Sequence, residues 1–436
     1  MPRTEPRTAP NAMTCPVALD DVDLFAPGAQ EHWYEAYPIL LAQAPVLQLP
    51  GEGMTPETDG FVLSKHEDIL RVVRAPERFP PLLTQKPRPG PDGSAPRLNA
   101  MMEAIQTLRP SEDLWRAHKT ELTDPWVGAG ATRHQKMITA AASQLIDSWI
   151  DKAQVEFVGQ FARLLPQIVM ANVLGFPLED VPQLERWGAA QVMAFVHGRG
   201  HRNLLHPAQM GEQMQALDGF KEYVAEHVRD KRRRPKDDMI TWLTQVSYHA
   251  LDRKLTDVEI NGIVYAMLIG GLETTQYAMA EQAQLFCEDP ALYAEVRNDR
   301  RKLRPFIEEA LRLRAPTQGL STRSTMFDEE FQGVTVPAGS ILHLRWAAAN
   351  LDPEAFERPH ELAIDRKHLT RHLTFSQGPR SCPGSGLSRL EQLIAWNALM
   401  DRIESLEYGE GNTFEHQAGI MLGLFKLELN FKKTAT

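Results

Sequence analysis

The sequence predicts a mainly α-helical protein with small β-sheets, built as a single domain, and three observations lead to this fold class. Helical spacing of apolar residues dominates the chain from Glu112 onward. A long helix that begins at Thr256 is apolar on all sides, so we expect it to be buried. Near the C-terminus, a loop rich in glycine and proline delivers Cys382 to the start of another helix.

The composition is that of an ordinary globular protein, with 436 residues, of which 43% are hydrophobic and 24% charged. A formal net charge of −10 argues against nucleic acid as a main partner. The three cysteines, Cys15, Cys287 and Cys382, are too few and too scattered for a disulfide framework, which fits a reducing cytoplasm. We expect no signal peptide and no membrane anchor, because the N-terminus is polar and the apolar run 260–272 is too short to span a bilayer.

Along the chain, residues 1–18 are expected to form a disordered tail, and residues 19–436 one domain without internal linkers or repeats. Short strands are expected at 45–49 and 60–64. Helices are expected at 32–41, 68–74, 98–108, 131–151, 155–174, 184–196 and 212–229. The charged run 231–238 is interpreted as a solvated turn.

The loop before the C-terminal helix is the strongest functional signal. A cysteine at a helix N-terminus faces unpaired N–H groups and the positive end of the helix dipole, which favour its thiolate. Such a thiolate is a soft anionic ligand suited to iron. A buried apolar cysteine is the alternative, but Phe375 and Arg380 flank Cys382 at seven and two residues before it. Pro383 is expected in the first turn of the following helix.

The spacing Phe-x-x-Gly-x-Arg-x-Cys-x-Gly of residues 375–384 resembles the haem-ligand signature of the cytochrome P450 family. The resemblance implies that haem b (iron protoporphyrin IX) lies between the central helix and this loop, with Cys382 as the metal ligand. It also implies cofactor contacts from Phe375, Gly378, Arg380 and Gly384. Since Pro383 has no N–H, hydrogen bonds to the sulfur are expected from the amides of residues 384 and 385. Ser376 stands where the family more often has glycine.

The central helix has a predicted capping box at Thr256 and Glu259, and its middle contains the run Gly-Gly-x-Glu-Thr-Thr at residues 270–275. Each glycine costs about 1 kcal/mol relative to alanine, and a buried carboxylate is costly unless it is paired. Close packing at the glycines and a paired Glu273 would explain the run without catalysis.

The same run resembles the segment of the P450 family where the helix opens beside the iron and oxygen is activated. The resemblance implies that Gly270 contacts the cofactor, that Glu273 relays protons, and that Thr274 hydrogen-bonds the bound oxygen. Heterolytic cleavage of an O–O bond consumes two protons, which a carboxylate and a hydroxyl can deliver with water.

A pair of charged residues, Glu309 and Arg312, lies three positions apart and therefore on one helix face. Such a pair is commonplace on solvated helices. Here it also resembles the structural Glu-x-x-Arg motif of the family, which Arg366 is expected to complete.

The two propionates of haem would need cationic partners, and arginine suits carboxylates through bidentate pairing. The position in the family motif nominates Arg323 and Arg380 for this role. Trp115 and Lys119, four residues apart, stand where the family often has histidine or tryptophan followed by arginine.

The resemblance implies a cytoplasmic, monomeric haem-thiolate monooxygenase. It would insert one oxygen atom from O2 into a small hydrophobic organic molecule by hydroxylation, O-dealkylation or epoxidation. Electrons would come from NAD(P)H through a separate ferredoxin and its reductase, entering near Lys119, Arg116 and Arg371. Two alternatives remain: a peroxygenase that uses H2O2, and a haem-binding sensor or carrier without catalysis.

The expected substrate pocket is mainly apolar. By family position it is lined from the ranges 80–108, 193–205, 270–274 and 315–321, and from Met421 and Leu422. His197, His201 and Gln318 are candidates for orienting the substrate.

Overall fold

A computed structural model describes residues 15–55, 57–82, 100–196, 205–319 and 322–435, without the side chains of residues 100 and 194–196. In these ranges the α-helices are α1 (Trp33–Gln43), α2 (His66–Arg74), α3 (Ala100–Leu108), α4 (Glu112–His118), α5 (Gln135–Asp147), α6 (Leu164–Leu174), α7 (Val181–Val196), α8 (Pro207–Arg233), α9 (Met239–Gln245), α10 (Asp257–Leu272), α11 (Thr274–Glu288), α12 (Pro290–Asn298), α13 (Leu303–Leu313), α14 (Trp346–Ala349) and α15 (Ser385–Arg402). The mainly helical fold class is therefore confirmed.

The strands form small sheets around the helices. They are β1 (Val46–Leu49), β2 (Gly60–Leu63), β3 (Gln154–Glu156), β4 (Ser247–Tyr248), β5 (Arg253–Lys254), β6 (Thr322–Ser324), β7 (Glu329–Phe331), β8 (Val334–Val336), β9 (Ile341–Leu344), β10 (Ile403–Tyr408) and β11 (Glu428–Lys433). One sheet has the order β1-β2-β9-β6, in which β2 and β9 are parallel, and a second has the order β10-β11-β3. The pairs β4–β5 and β7–β8 are two-stranded.

The main core lies where α5, α6, α10, α11, α13 and α15 pack together. Its centre is aromatic, because Phe286 of α11 stacks on Phe306 of α13 with ring centroids 3.8 Å apart and meets Trp396 of α15 edge-on at 4.8 Å. These contacts join the central helix to the helix that follows the cysteine loop.

The central helix begins as predicted and is interrupted near its middle. Thr256 and Glu259 form the expected capping box, with the Glu259 amide donating to Thr256 Oγ1 at 3.3 Å and the Thr256 amide donating to Glu259 Oε2 at 2.8 Å. The helix ends at Leu272 and starts again at Thr274, with Glu273 between α10 and α11. Both Gly270 and Glu273 therefore lie at the interruption.

Two local predictions are wrong, the first because of a strand partner far along the chain and the second because Asp238 packs against Gly175. Val155, predicted to be helical, lies in β3, where it pairs with Leu429 of β11. In the run 231–238, predicted to be solvated, Lys231 and Asp238 form a buried ion pair, and Asp238 also caps α9 by accepting from the Thr241 amide.

The N-terminal prediction falls mostly on residues 1–14, which lie outside the described residues. Beyond them, Pro16 is buried, and the amides of Val17 and Ala18 donate to Asp21 Oδ2 at 3.0 and 2.9 Å. Among the described residues, no helix is both long enough and apolar enough to cross a membrane.

Candidate active site

The cysteine loop is closed by its own backbone. The Cys382 amide donates to the Phe375 carbonyl at 2.8 Å, so the cysteine and the first residue of the motif hold the loop together. Gly378 has φ +76°, and a Cβ there would lie 2.6 Å from the Val73 carbonyl oxygen, so only glycine fits. Ser376 has φ +55°, a left-handed conformation that favours glycine and fits the residue more usual in the family, but nothing in the structure explains the serine.

The surroundings of the Cys382 sulfur shift the pKa of its thiol in opposite directions. Burial raises the pKa of the thiol above its ordinary value, contrary to the expected preference for the thiolate, although hydrogen bonds from the backbone amides of Gly384 and Ser385 and the charges of Lys119 and Arg389 oppose this shift. The two amides are those expected from the sequence. Pro383, however, precedes the cap residue Gly384 of α15 and so lies outside the helix rather than in its first turn.

Lys119 lies beside the cysteine. Its Nζ donates to Ser381 Oγ at 2.7 Å and to the Ser381 carbonyl at 3.3 Å, so it anchors the residue before Cys382. Two further contacts fix the start of α15. The Leu387 amide donates to the Val127 carbonyl at 2.9 Å, and Gly386 packs so closely on Gly128 that a Cβ would lie 2.2 Å from its carbonyl oxygen.

Trp115 is the centre of a group of buried cations. The guanidinium groups of Arg109 and Arg380 lie 4.5 and 4.0 Å from the centroid of its ring. Arg380 also pairs with Glu112, through Nε at 3.0 Å and through Nη2. Among the residues that the structure describes, Arg109 Nε and Nη2 and Arg380 Nη1 have no hydrogen-bond partner.

Arg323 belongs to the same charged region. Burial lowers the pKa of Arg323 to about 10, with a further contribution from the charge of Arg380. Burial and Arg380 likewise lower the pKa of Arg109 to about 10. Among the described residues, the Glu112 carboxylate pairs with Arg380, whereas Arg109 and Arg380 keep buried N–H groups without a partner, and burying such positive charge is costly unless an anion compensates it.

Arg109 and the buried His118 were not predicted. Burial and the charge of Arg109 keep the pKa of His118 well below its ordinary value, so its imidazole is neutral. Arg109 follows the C-terminus of α3, where a cation usually interacts with the helix dipole at the surface. The local sequence therefore does not indicate that the Arg109 side chain is buried.

The interruption of the central helix holds the predicted relay residues. Thr274 Oγ1 donates to the Gly270 carbonyl at 2.9 Å, so the hydroxyl caps the end of α10. Burial raises the pKa of the Glu273 carboxyl above its ordinary value. The two glycines differ: a Cβ on Gly271 would lie 2.5 Å from Met170 Sδ, whereas one on Gly270 would meet no atom of the described residues within 4 Å.

One hydrogen bond ties the interrupted helix to the cysteine helix. Thr275 Oγ1 lies 3.0 Å from Ser388 Oγ in the first turn of α15. The start of α11, with Thr274, and the start of α15, just after Cys382, are therefore neighbours in the fold.

The predicted charged brace is present and buried. Glu309 accepts from Arg312 Nε and Nη2 at 2.9 and 2.7 Å, and from Arg366 Nε at 2.9 Å, so Arg366 completes the motif as expected. A second brace was missed: Glu308 accepts from Arg389 Nε at 2.5 Å and lies 3.1 Å from His372 Nε2. This second brace spans the cysteine loop, since its two partners flank it.

The residues predicted to line the substrate pocket are only partly described. His197 and His201 lie outside the described residues, as do 83–99, 197–204 and 320–321 of the predicted ranges. Gln318 is fully buried, accepting from Tyr37 Oη at 2.5 Å and donating to the Ala315 carbonyl at 2.7 Å. Both ends of its amide are thus used within the protein, which contradicts the predicted role in orienting the substrate.

These residues fit an iron porphyrin with two carboxylates. The unpaired N–H groups of Arg109 and Arg380 are suited to carboxylates, and the space beside Gly270 is open where any side chain would project. The Cys382 sulfur accepts hydrogen bonds from two backbone amides, which suits a cysteine that would bind iron as a thiolate.

Comparisons with known proteins agree with this geometry. A family model described as Cytochrome P450 matches residues 103–423. The polyketide biosynthesis cytochrome P450 PksS of Bacillus subtilis is 30% identical over 270 residues, which are 62% of this chain and 63% of that protein. The biotin biosynthesis cytochrome P450 of the same organism is 31% identical over 295 residues, 68% of this chain and 71% of that protein.

Among solved structures, P450BioI in complex with hexadec-9Z-enoic acid ligated acyl carrier protein has the same fold. Its TM-score is 0.79 at 24% identity, and the match covers 92% of this chain and 99% of that chain. The match to PksS spans slightly less than two thirds of that relative's length.

Proposed function

This chain belongs to the cytochrome P450 family of haem-iron monooxygenases, and on that premise we propose that it inserts one oxygen atom from O2 into a hydrophobic organic small molecule. The observation that carries the proposal is the interruption of the central helix at Glu273 and Thr274, tied by the Thr275–Ser388 hydrogen bond to the helix that follows Cys382. A carboxyl and a hydroxyl at such an interruption are the groups that proton delivery to oxygen requires.

The cofactor is proposed to be haem b, held by Cys382 at the iron and by cations at its carboxylates. Bound there, the haem would supply the binding and reductive activation of O2. Arg323 and Arg380 would pair with the propionates, and Arg109 is added to them because its unpaired N–H groups point to a missing anion. Trp115 would then orient Arg109 and Arg380 through its ring rather than serve as the main propionate contact.

The remaining predicted site residues keep proposed supporting roles. Lys119 steadies the residue before the ligand through Ser381 and favours the thiolate by its charge. Gly378 allows the loop its left-handed turn, and Gly384 contributes an amide to the sulfur. Phe375 closes the loop through its carbonyl, and the guanidinium of Arg389 lies over its ring, 4.3 Å from the ring centroid.

Protons are proposed to pass through Glu273 and Thr274. The buried carboxyl has a raised pKa, so it holds a proton closer to neutral pH than an exposed glutamate would. The Thr274 hydroxyl, which now donates to the Gly270 carbonyl, would turn toward the oxygen substrate when that substrate binds. A peroxygenase would not need this pair, so its presence favours use of O2 over use of H2O2.

The substrate class is proposed from the pocket and the relatives. Met421 and Leu422, which the resemblance places at the pocket, are buried and apolar. Two relatives are named for polyketide and biotin biosynthesis, and the solved neighbour holds a fatty acid linked to acyl carrier protein. An acyl-chain or polyketide-like molecule fits these observations better than a charged one.

Electrons are proposed to come from NAD(P)H through a separate ferredoxin and reductase. Arg116 and Arg371 are exposed and would offer positive charge to an acidic ferredoxin near the cysteine loop. Reduction should then slow as salt concentration rises, because exposed charges are screened within about 8 Å at physiological ionic strength. A rate that does not respond to salt would refute this docking site.

We further propose that residues 19–436 act as one cytoplasmic, monomeric domain.

The deciding experiment compares two sources of oxidant for the haem-loaded protein. Acyl and polyketide-like compounds are first screened for a low-to-high-spin shift of the Soret band. Turnover of each binder is then measured with NADH, ferredoxin, ferredoxin reductase and ¹⁸O2, and separately with H2O2. Incorporation of one ¹⁸O atom with the electron-transfer proteins supports the proposal. Turnover with peroxide alone would establish a peroxygenase, and CO binding without oxidation of any binder would favour a sensor or carrier.

A further inference from the structure

One face of α11 meets the segment of residues 415–424 that precedes β11. Glu273, Tyr277 and Glu281 are spaced four residues apart, so their side chains lie above one another on this face. Each has a hydrogen-bonded contact on that face: Tyr277 with both Glu273 and Gln417, and Glu281 with His416. The carboxyl of the proposed relay is thus the first member of a polar row, and Tyr277 connects it to Gln417.

Tyr277 occupies the middle of this row. Its Oη lies 3.1 Å from Glu273 Oε2 and 2.7 Å from Gln417 Oε1. Among the described residues, Tyr277 is the only side chain that hydrogen-bonds the Glu273 carboxyl. A phenol has one proton to donate, so it cannot donate to both oxygens at once. Either Glu273 is protonated and donates to Tyr277, or the Gln417 amide donates and Tyr277 gives its proton to Glu273.

The geometry leaves Tyr277 little freedom to move away. A Cβ on Gly423 would lie 2.4 Å from Cε1 of the Tyr277 ring, so the backbone of the segment packs directly on it. The backbone of Gln417 is fixed in turn, since its backbone N–H donates to the Gly423 carbonyl at 2.8 Å. The hydroxyl therefore has a defined place between the two partners.

The neighbouring residue anchors the same segment at two points. The His416 amide donates to Glu31 Oε1 at 2.8 Å, and its ring nitrogens lie 2.9 Å from Glu31 Oε2 and 3.3 Å from Glu281 Oε1. These contacts fix the segment against both α11 and the turn before α1. Gln417 is consequently held in place by contacts that do not involve Glu273.

The surroundings of Glu273 explain why its neutral hydrogen-bond partner, Tyr277, influences the pKa of its carboxyl. Burial is the main cause that raises the pKa of Glu273, and the hydrogen bond from Tyr277 lowers it, while the charge of Glu185 on α7 raises it further. Glu185 is itself paired with Arg163 at 3.4 Å, which partly neutralises its like charge. Against the effect of burial, the Tyr277 hydroxyl is the hydrogen-bonding group that favours release of the proton from the carboxyl.

We propose that Tyr277, oriented by Gln417, is a positioning residue that aims the Glu273 carboxyl and governs when it releases its proton toward Thr274. The relay of this chain is thus the connected set Glu273, Tyr277 and Gln417 rather than the carboxyl alone. The inference deepens the proposed function and rests on it, because Glu273 must first be a proton donor.

The test measures the protonation of Glu273 directly. Infrared difference titration of the substrate-free, haem-loaded ferric protein, labelled with ¹³C-glutamate, follows the carboxyl band, which the Glu273→Gln variant identifies. Tyr277→Phe removes the donor and should move the midpoint upward by about half to one pH unit. Gln417→Leu frees the tyrosine proton for Glu273 and should move the midpoint downward. Opposite shifts would not arise from a general loosening of the fold.

Tyr293→Phe is the matched control, because Tyr293 is also a buried tyrosine of the core whose hydroxyl has one partner, the Ile403 carbonyl at 3.0 Å. Its midpoint should equal that of the wild type. Equal midpoints in all three variants, or shifts of Tyr277→Phe and Gln417→Leu in the same direction, would overturn the proposal.

Turnover gives the second readout, and it separates this inference from the proposed function. If the wild type couples NADH oxidation to product, Tyr277→Phe should release several-fold more peroxide and show a larger solvent isotope effect, with substrate binding unchanged. If the wild type forms no product at all, the proposed function fails, whereas the infrared shifts still test the positioning role.

Discussion

Arg109 and Arg380 place their guanidinium groups against the same indole ring, 4.5 and 4.0 Å from the centroid of Trp115. They come from different parts of the chain, and each carries N–H groups without a partner among the described residues. Like charges in a buried place are costly unless an anion compensates them. We therefore expect Arg109 and Arg380 to lower the stability of the haem-free protein and to strengthen retention of the proposed haem.

The effect of Arg109 on haem retention and on the stability of the haem-free protein can be tested with Arg109→Gln. We expect roughly ten-fold faster loss of haem to an excess of a haem-scavenging protein, because a charge-assisted hydrogen bond contributes about 1.5–3 kcal/mol. The haem-free variant should melt at a higher temperature than the haem-free wild type, since like-charge repulsion is relieved. Arg116→Gln, at an exposed site on α4, is the control and should change neither property. A lower melting temperature with unchanged haem retention would contradict the assignment.

Cys382→Ala should abolish the red-shifted absorption band that thiolate-ligated haem gives when reduced and exposed to CO. The cause is the loss of the anionic ligand that hydrogen bonds from residues 384 and 385 support. Cys287→Ala is the matched control, because burial raises the pKa of Cys287 to about 12 and keeps it a neutral thiol. Persistence of the band in Cys382→Ala would identify another ligand.

Thr274→Ala should increase the fraction of NADH electrons that end as peroxide, by several-fold, while substrate binding stays unchanged. The hydroxyl is proposed to pass protons, so its removal slows their delivery rather than the arrival of electrons. Thr139→Ala is a suitable control, since Thr139 makes the same hydrogen bond to the carbonyl four residues before it, in α5. Unchanged coupling in Thr274→Ala would remove this residue from the relay.

Glu309→Gln should lower the free energy of unfolding by about 3–5 kcal/mol, because it leaves Arg312 as a buried charge without its partner. Chemical denaturation monitored by circular dichroism measures the change. Glu361→Gln removes a carboxylate from an exposed pair with Arg358 and should have little effect. Equal stability of the two variants would show that the buried brace contributes no more than a surface ion pair.

His416 should make stability depend on alkaline pH. Contacts with Glu281 and Glu31 outweigh the effect of burial and raise the pKa of His416 from 6.5 to about 9. A raised pKa stabilises the folded protein fully below pH 6.5, and this contribution, on the order of 3 kcal/mol, is lost as the pH rises through about 9. Thermal melting of wild type and His416→Gln across this interval should converge at high pH. Parallel curves would exclude His416 as the group responsible.

Much of the local structure was predictable because it depends on spacings of three or four residues. The capping box of Thr256 and Glu259 and the pairing of Glu309 with Arg312 both follow from positions on one helix turn. The left-handed turn at Gly378 also follows from residue type, whereas the left-handed conformation of Ser376 does not, because serine disfavours it.

What the sequence alone determined is therefore the fold class, the cysteine at a helix start, the interrupted central helix and the identity of the charged residues. The tertiary structure decided which of them meet. Arg380 hydrogen-bonds Glu112, which lies 268 residues away in the sequence, and Tyr277 hydrogen-bonds Gln417, which lies 140 residues away. It also buried Lys231 with Asp238 and turned Arg109 inward. Helix geometry repeats over a few residues, whereas these contacts depend on how whole elements pack, and packing is set by the complete chain.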